Sequence, residues 1–157
     1  MIVQTHRFGP LDVPDNKIIA MERPILGFER LRYFCLVEPP EIAPLLWLQS
    51  TEDSTVAFMV LNPVILFPDY RIAINSMEIA ELEVCDLAAV EAYVVVTFSD
   101  HPRDISANLQ GPILINTENR RAKQLVLVNS RYHVKHPLLE VAEEPAAFQE
   151  ATELVTA

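Results

Sequence analysis

The longest apolar stretch of the chain is interrupted once, by the polar residues 51–54. Residues 45–50 before this break and residues 55–61 after it are apolar on both alternating faces, which predicts two strands joined as a hairpin. A half-exposed strand would alternate between apolar and polar positions, so the hairpin is expected to have core on both sides or to lie in a closed barrel wall. The only tryptophan, Trp47, lies in the first strand, and Pro63 ends the second because proline has no N–H for the ladder.

Short runs of β-favouring residues recur along the rest of the chain, separated by turn residues. They comprise residues 2–6, 18–21, 33–37, 71–74, 92–98, 113–116, 124–128 and 132–134. Residues 92–98 give the strongest of these predictions, because they are apolar on both faces and rich in β-branched side chains. Residues 8–14 are punctuated as a turn. Over residues 75–83 the pattern changes and predicts one short helix, capped by Asn75 or Ser76 and with acids in its first turn.

About ten short strands and one or two short helices predict a mostly β, single-domain fold, with antiparallel strands packed as a barrel or a sandwich. A length of 157 residues fits one domain with a substantial core. The side chains of Trp47, Phe58, Val94 and Val96 are expected to be well buried.

The composition changes after residue 139. Residues 140–157 are acidic, rich in alanine and free of Lys and Arg, so residues 1–139 are assigned to the barrel-like domain and the remainder to a tail. We expect this tail to be disordered in the free protein. The alternative is a helix over residues 146–155 that needs a partner, because an isolated helix of that length is marginal in water.

Glycine and cysteine usage excludes several kinds of site. Only three glycines occur, Gly9, Gly27 and Gly111, and they are too scattered for a phosphate-binding loop. Cys35 and Cys85 lie in apolar surroundings without a C-x-x-C motif, which favours buried reduced thiols. The first residues lack a charged region followed by a long apolar core, and no apolar run approaches the length of a membrane span. These features predict a cytoplasmic protein that has no cofactor.

The formal charge of −10 is concentrated in the middle of the chain. Residues 33–102 contain eleven acidic residues and one basic residue, Arg71. Nucleic acid is a poor partner for such a surface, since affinity for phosphates comes from cations, whereas a basic protein would fit it well. The alternative is that the acids only keep a hydrophobic chain soluble.

The sequence offers little catalytic chemistry. His133 and His136 are three apart, so on a strand they are expected to point to opposite faces and not to share a metal. No nucleophile elbow accompanies His101 and its neighbouring aspartate in their polar loop. Glu78 and Glu81 share a helix face, and a solvated acidic face is the commoner explanation for such a pair than a catalytic one. No residue is therefore assigned a catalytic role.

Several segments, in order, resemble the FliW family of bacterial flagellar assembly factors. They are residues 27–28 with Phe34, WLQS at 47–50, residues 57–58 leading to 62–63, PDY at 68–70, SANLQGPILIN at 106–116, KQ at 123–124 and HPL at 136–138. The resemblance spans roughly residues 2–139, and the segment at 106–116 is its strongest part. Ser106 stands where the family usually has threonine, and Gly111 where it usually has alanine.

The resemblance implies a mostly antiparallel β barrel and a non-enzymatic cytoplasmic protein with two protein partners. These are flagellin and the RNA-binding translational repressor CsrA. In the family, FliW bound to CsrA prevents it from silencing flagellin messenger RNA, and free flagellin displaces CsrA. Within the matched motifs, Asn108 and Asn116 are expected to cap turns and Trp47 to be core, in preference to contacting a partner. A small β-barrel ligand-binding protein or enzyme is the alternative, and a large pocket with converging polar groups would favour it.

Charge and turn chemistry predict where a basic partner would bind. The acids of the middle region must lie at turns and on the short helix, because its strand residues point inward. The candidate contact residues are Asp69, Tyr70, Glu78, Glu81 and Glu83, with Tyr70 as an aromatic anchor. Reversing Glu78 and Glu81 to lysine is expected to slow association with little change in stability.

Deleting residues 140–157 should leave the melting temperature nearly unchanged, because an acidic, alanine-rich tail contributes little to a core. Calorimetric melting of the full and shortened chains measures this. A loss equivalent to about 1 kcal/mol or more would show that the tail is docked on the domain.

Overall fold

The structure is a computed structural model, and it describes residues 1–74, 76–98, 104–128 and 131–138. Its strands are β1 (Ile2–Thr5), β2 (Gly9–Asp12), β3 (Ile19–Arg23), β4 (Tyr33–Val37), β5 (Leu46–Ser50), β6 (Ala57–Leu61), β7 (Val90–Thr97), β8 (Ser106–Ala107), β9 (Ile113–Asn116), β10 (Arg121–Gln124) and β11 (His136–Pro137). Within these described ranges the α-helical content is one short helix, α1 (Ser76–Ala80). The prediction of a mostly β fold is confirmed.

Seven strands close into a barrel in the order β3, β4, β5, β6, β7, β9 and β10. A parallel pairing of β10 with β3 closes the barrel, whereas all its other pairs of adjacent strands are antiparallel. The predicted central hairpin is confirmed, since β5 pairs with β6 from Leu46 opposite Val60 to Gln49 opposite Ala57. The short strands β8 and β11 extend the sheet from β7, and β1 pairs separately with β2.

Two hydrophobic cores explain why the main strands are apolar on both faces. Side chains that point into the barrel include Val60 of β6 and Tyr93 of β7. Their neighbours Leu61 and Val94 point outward into a second core, which the segments after β6 and after β10 cover. Because successive side chains of a strand alternate between faces, a wall with core on each side requires apolar residues throughout.

The two aromatic residues predicted for the core lie at its margins instead. Trp47 is half-buried on the outer face of β5, where the Phe8 ring packs 6.5 Å away and the Arg7 guanidinium lies 4.1 Å above it. Phe58 is half-buried beside Phe28, with ring centroids 4.8 Å apart. The prediction that Trp47 and Phe58 are well buried was therefore wrong. The prediction of burial is confirmed for Val94 and Val96, which are 0% and 5% exposed.

Other local predictions need correction. The segment predicted as a turn at 8–14 contains β2, while residues 71–74 and 132–134 form no strand. Cys35 is buried as predicted, but Cys85 is exposed, because it follows α1 in a surface turn. The rings of His133 and His136 stack 5.7 Å apart, since a turn and not a strand separates them. The predictions on Asn75, on His101 and on the tail fall outside the described residues.

Neighbouring residues of β9 provide a test of the two cores. Ile113 points into the barrel and Leu114 into the second core, and they are 0% and 1% exposed. Replacing either with alanine should therefore lower the free energy of unfolding by about 2–5 kcal/mol. Val128→Ala, at a side chain that is 75% exposed, is the control and should change it by about 0.5 kcal/mol or less. Denaturant unfolding that found one of the two β9 variants as mild as the control would contradict a two-sided wall.

Candidate interaction surface

The turn that follows β6 is the first part of the predicted contact surface. Asn62 accepts a hydrogen bond from the backbone N–H of Val64 and so starts a short 3-10 turn at Pro63–Ile65. The chain then turns again at residues 68–70. Here Asp69 is exposed, whereas Tyr70 is 4% exposed.

Tyr70 belongs to the second core. Its hydroxyl donates a hydrogen bond of 2.6 Å to the carbonyl oxygen of Leu109, and its ring lies 4.6 Å from that of Tyr132. Burial raises the pKa of Tyr70, so the hydroxyl stays protonated and keeps this bond. The expectation of Tyr70 as an exposed aromatic anchor is thus corrected. A groove of about 280 Å³ beside it is lined by Phe67, Arg131 and their neighbours, with Asp69 at its edge.

The second part of the predicted surface is α1 and the turn after it. This segment lies against the outer face of the barrel where β10 pairs with β3. Lys123 of β10 is only 3% exposed, and its Nζ donates a 2.9 Å hydrogen bond to the carbonyl oxygen of Glu78 at the helix. A buried ammonium group is costly without such partners. Lys123 therefore fixes the position of α1.

Glu81 completes this arrangement. Its carboxylate accepts three hydrogen bonds from the Arg23 guanidinium, of 2.6, 2.9 and 3.1 Å, and lies 3.5 Å from the Lys123 Nζ. The hydrogen bonding from Arg23, helped by the charge of Lys123, lowers the pKa of Glu81 to about 2. The carboxylate is therefore ionised at neutral pH and serves as the counter-ion of two cations. We call Arg23, Glu81 and Lys123 the charge clamp.

The residues after Glu81 are held by the β9–β10 turn. The side-chain amides of Asn116 and Asn119 both donate to the carbonyl oxygen of Leu82, at 3.0 and 2.8 Å. Glu83 has a positive φ of 51° and is exposed, with its carboxylate 3.5 Å from Arg121. Asn116 Oδ1 also accepts a 3.0 Å hydrogen bond from the backbone N–H of Glu118, so Asn116 caps this turn as predicted.

The structure separates the five candidate residues into two groups. Tyr70 is inside the second core and Glu81 is inside the charge clamp, while Asp69 and Glu83 are exposed and Glu78 is partly so. The structure gives a reason to expect a loss of stability when Glu78 and Glu81 are both reversed, because a lysine at position 81 would bring three cations together. Sequence reasoning missed Arg23 and Lys123, because the polar sequence RAKQ of β10 does not mark Lys123 as buried.

Several other acids of the middle region also have local structural roles. Glu52 accepts hydrogen bonds from the backbone N–H groups of Arg32 and Tyr33, at 2.7 and 2.8 Å. Asp53 and Asp86 accept from the backbone N–H groups of Thr55 and Ala88. These bonds satisfy donors at turns, as short acidic side chains commonly do. Only some of the acidic side chains of the middle region are therefore available to a partner.

The described residues contain no group of three or more His, Cys, Asp or Glu arranged to hold a metal ion. Across the same ranges, no helix has the length and apolar character needed to cross a membrane.

The fold defines the chain as a small β-barrel protein with a second core on its outer wall. A family model described as FliW protein matches residues 2–138, and the chain belongs to this family. It is 40% identical over 147 residues to the flagellar assembly factor FliW of Geobacter sulfurreducens, covering 94% of this chain and 92% of the relative. It is 38% identical to that of Thermosipho africanus, covering 85% of this chain and 93% of the relative.

A solved structure supports the same assignment. The crystal structure of a flagellar assembly factor FliW matches with a TM-score of 0.81 at 31% identity, over 88% of this chain and 96% of that one. The resemblance drawn from the sequence is thereby confirmed. The matched relatives are named as assembly factors and not as enzymes.

The charge clamp predicts a pH dependence. The pKa of Glu81 in the folded protein lies below its ordinary value of 4.5, so the clamp contributes full stability above that value and loses it as pH falls towards 2. Glu81→Gln should lower the melting temperature at pH 7, because Lys123 loses its carboxylate, and should make the remaining stability less sensitive to acid below pH 4.5.

The matched variant is Lys123→Met, which keeps much of the side-chain volume and removes the buried charge. Replacement of a buried charged group by a hydrophobic residue is often neutral or stabilising, so Glu81→Gln should cost less in this background than in the native chain. Equal costs of Glu81→Gln in the two backgrounds, measured by thermal melting, would show that the clamp does not couple the two residues.

Proposed function

We propose that this chain is a non-enzymatic cytoplasmic flagellar assembly factor that binds a CsrA-type translational repressor and flagellin. Binding to the repressor relieves the repression of flagellin translation. Free flagellin competes with the repressor for the factor, which acts as a chaperone of flagellin when the two are bound. Translation then follows the secretion of flagellin. The observation that carries the proposal is the family match over residues 2–138, which includes the complete barrel.

The surface charge supports a basic partner and not nucleic acid. The chain has a formal charge of −10, and association with a cationic protein is steered by such a field. Binding to RNA would instead require a cationic face. The repressor is therefore expected to be the RNA-binding member of the complex.

The exposed members of the predicted surface are its best candidate contacts. Asp69 lies at the edge of the groove beside Tyr70, and Glu83 projects from the turn that follows the charge clamp. Both turns pack on the second core through the adjacent residues Tyr70 and Leu82. In this proposal the clamp positions the contact surface and the exposed acids guide the partner to it. Glu78 contributes from α1.

Titration calorimetry with purified repressor tests the proposal. Asp69→Lys combined with Glu83→Lys should weaken binding by at least about tenfold at low salt, mainly through slower association. Raising the salt concentration should weaken repressor binding by the native chain, because exposed charges are screened. It should also reduce the difference in affinity between the native chain and the double variant. Added flagellin should displace the repressor.

Asp15→Lys is the control, because this side chain is 95% exposed and lies outside both turns. Asp15→Lys changes the charge by the same amount as each of the two reversals, and it should weaken repressor binding much less than they do. Binding that is indifferent to salt and to the double reversal would place the contact surface elsewhere on the barrel. No binding of either partner to the native chain would overturn the proposed function itself.

A further inference from the structure

A pocket of about 570 Å³ lies at one mouth of the barrel. The strand directions bring together the end of β4, the start of β7 and the turn between β9 and β10, and the 3-10 turn that precedes β3 adjoins them. Its volume is within the range of about 300–1,000 Å³ that is typical of small-molecule sites, for which barrel mouths are a common position. The polar and charged residues that line the pocket include Lys17, Glu38, Glu91, Tyr93 and Arg120.

Arg120 occupies the left-handed backbone region, with φ of 63°. Its backbone N–H donates a 2.7 Å hydrogen bond to the carbonyl oxygen of Asn116, which closes the β9–β10 turn. Glycine or asparagine suits such a position, and a long side chain is strained there. The geometry of the turn does not explain why this residue is an arginine, which directs attention to the guanidinium group.

The Nε–H of Arg120 is buried and has no hydrogen-bond acceptor. The guanidinium reaches only the carbonyl oxygen of Lys17, at 3.5 Å, and no carboxylate in the described ranges forms an ion pair with it. The Nε has almost no accessible surface, so a ligand would pair with the exposed end of the guanidinium. The positive charge of Arg120, which no described carboxylate neutralises, therefore favours an acidic group on the ligand.

Carboxylates line the same pocket. Glu91 Oε2 accepts a 2.6 Å hydrogen bond from the Tyr93 hydroxyl, which fixes its orientation. Glu38 is exposed, and neither it nor Glu91 forms an ion pair with a described residue. Cations and carboxylates thus share one pocket without neutralising each other.

We propose that this mouth pocket binds a small zwitterion, whose carboxylate pairs with Arg120 and whose cationic group pairs with Glu38 and Glu91. A simple anion would be repelled by the three acids of the lining, Asp12, Glu38 and Glu91, and a simple cation would leave the Arg120 guanidinium without a counter-ion. A basic amino acid and a short peptide with a free carboxylate share the required chemistry. The pocket shares no lining residue with the proposed partner surface, and titration with small molecules tests it independently of partner binding.

Calorimetric titration of the full chain with L-arginine, agmatine and succinate tests the ligand class. Agmatine lacks the carboxylate and succinate lacks the cation, so each should bind at least about tenfold more weakly than L-arginine. An alanyl-arginine dipeptide distinguishes the sources: tighter binding than L-arginine identifies a peptide ligand, and weaker binding a free amino acid. Failure of both zwitterions to bind at about 10 mM would overturn the proposal.

Arg120→Gly separates binding from folding. It removes the guanidinium and relieves the left-handed backbone, so the melting temperature should stay the same or rise while affinity for the zwitterion falls by at least about tenfold. Glu38→Gln should weaken binding of L-arginine, whereas Glu118→Gln, an exposed change in the same β9–β10 turn and outside the pocket, should leave it unchanged. Native affinity in Arg120→Gly, or agmatine binding as tightly as L-arginine, would exclude Arg120 from the site and overturn the proposal.

Discussion

The rest of the structure depends on β7 being buried on both faces. This strand pairs with β6 and β9 in the barrel and with β8 beyond it, while Tyr93 points into the barrel and Val94 into the second core. The enclosed middle of this strand leaves exposed polar groups to its ends, where Glu91 lies. Turns and strand ends must therefore carry the groups available to partners or ligands, which is where Asp69, Glu83 and Arg120 lie.

The charge clamp shows how an acidic sequence differs from an acidic surface. Lys123 is buried in the outer wall and requires Glu81 as its counter-ion, and Arg23 orients the same carboxylate from β3. Glu81 thus holds α1 against the barrel, and its charge is largely compensated where it lies. The field available for steering a partner comes from the acids that remain exposed, and a charge count along the chain cannot distinguish the two groups.

The hydrophobic pattern predicted the central hairpin and β7, because two-sided burial leaves a continuous apolar run that needs no tertiary information. The position of α1 was predicted from capping residues and acids in its first turn. Pattern failed where a distant contact decides the outcome. The segment 8–14 contains turn residues, yet it pairs with β1 and covers Trp47. Tyr70 follows a turn signal, yet its hydroxyl finds an acceptor 39 residues away. Of the candidate surface, sequence located the turns but could not separate exposed acids from Glu81.

Two residues with left-handed backbone, Glu83 and Arg120, show how strain separates a structural role from an unexplained one. At Glu83 the compensation is visible, because two asparagine amides hold the preceding carbonyl group and Arg121 lies beside its carboxylate. At Arg120 the backbone closes a turn that glycine would close with less strain, and the buried Nε–H gains no partner among the described residues. Where neighbouring contacts compensate for the backbone strain, as at Glu83, the strain needs no further explanation. At Arg120 no such compensation lies among the described residues, and the proposed ligand site is the pocket that its guanidinium lines.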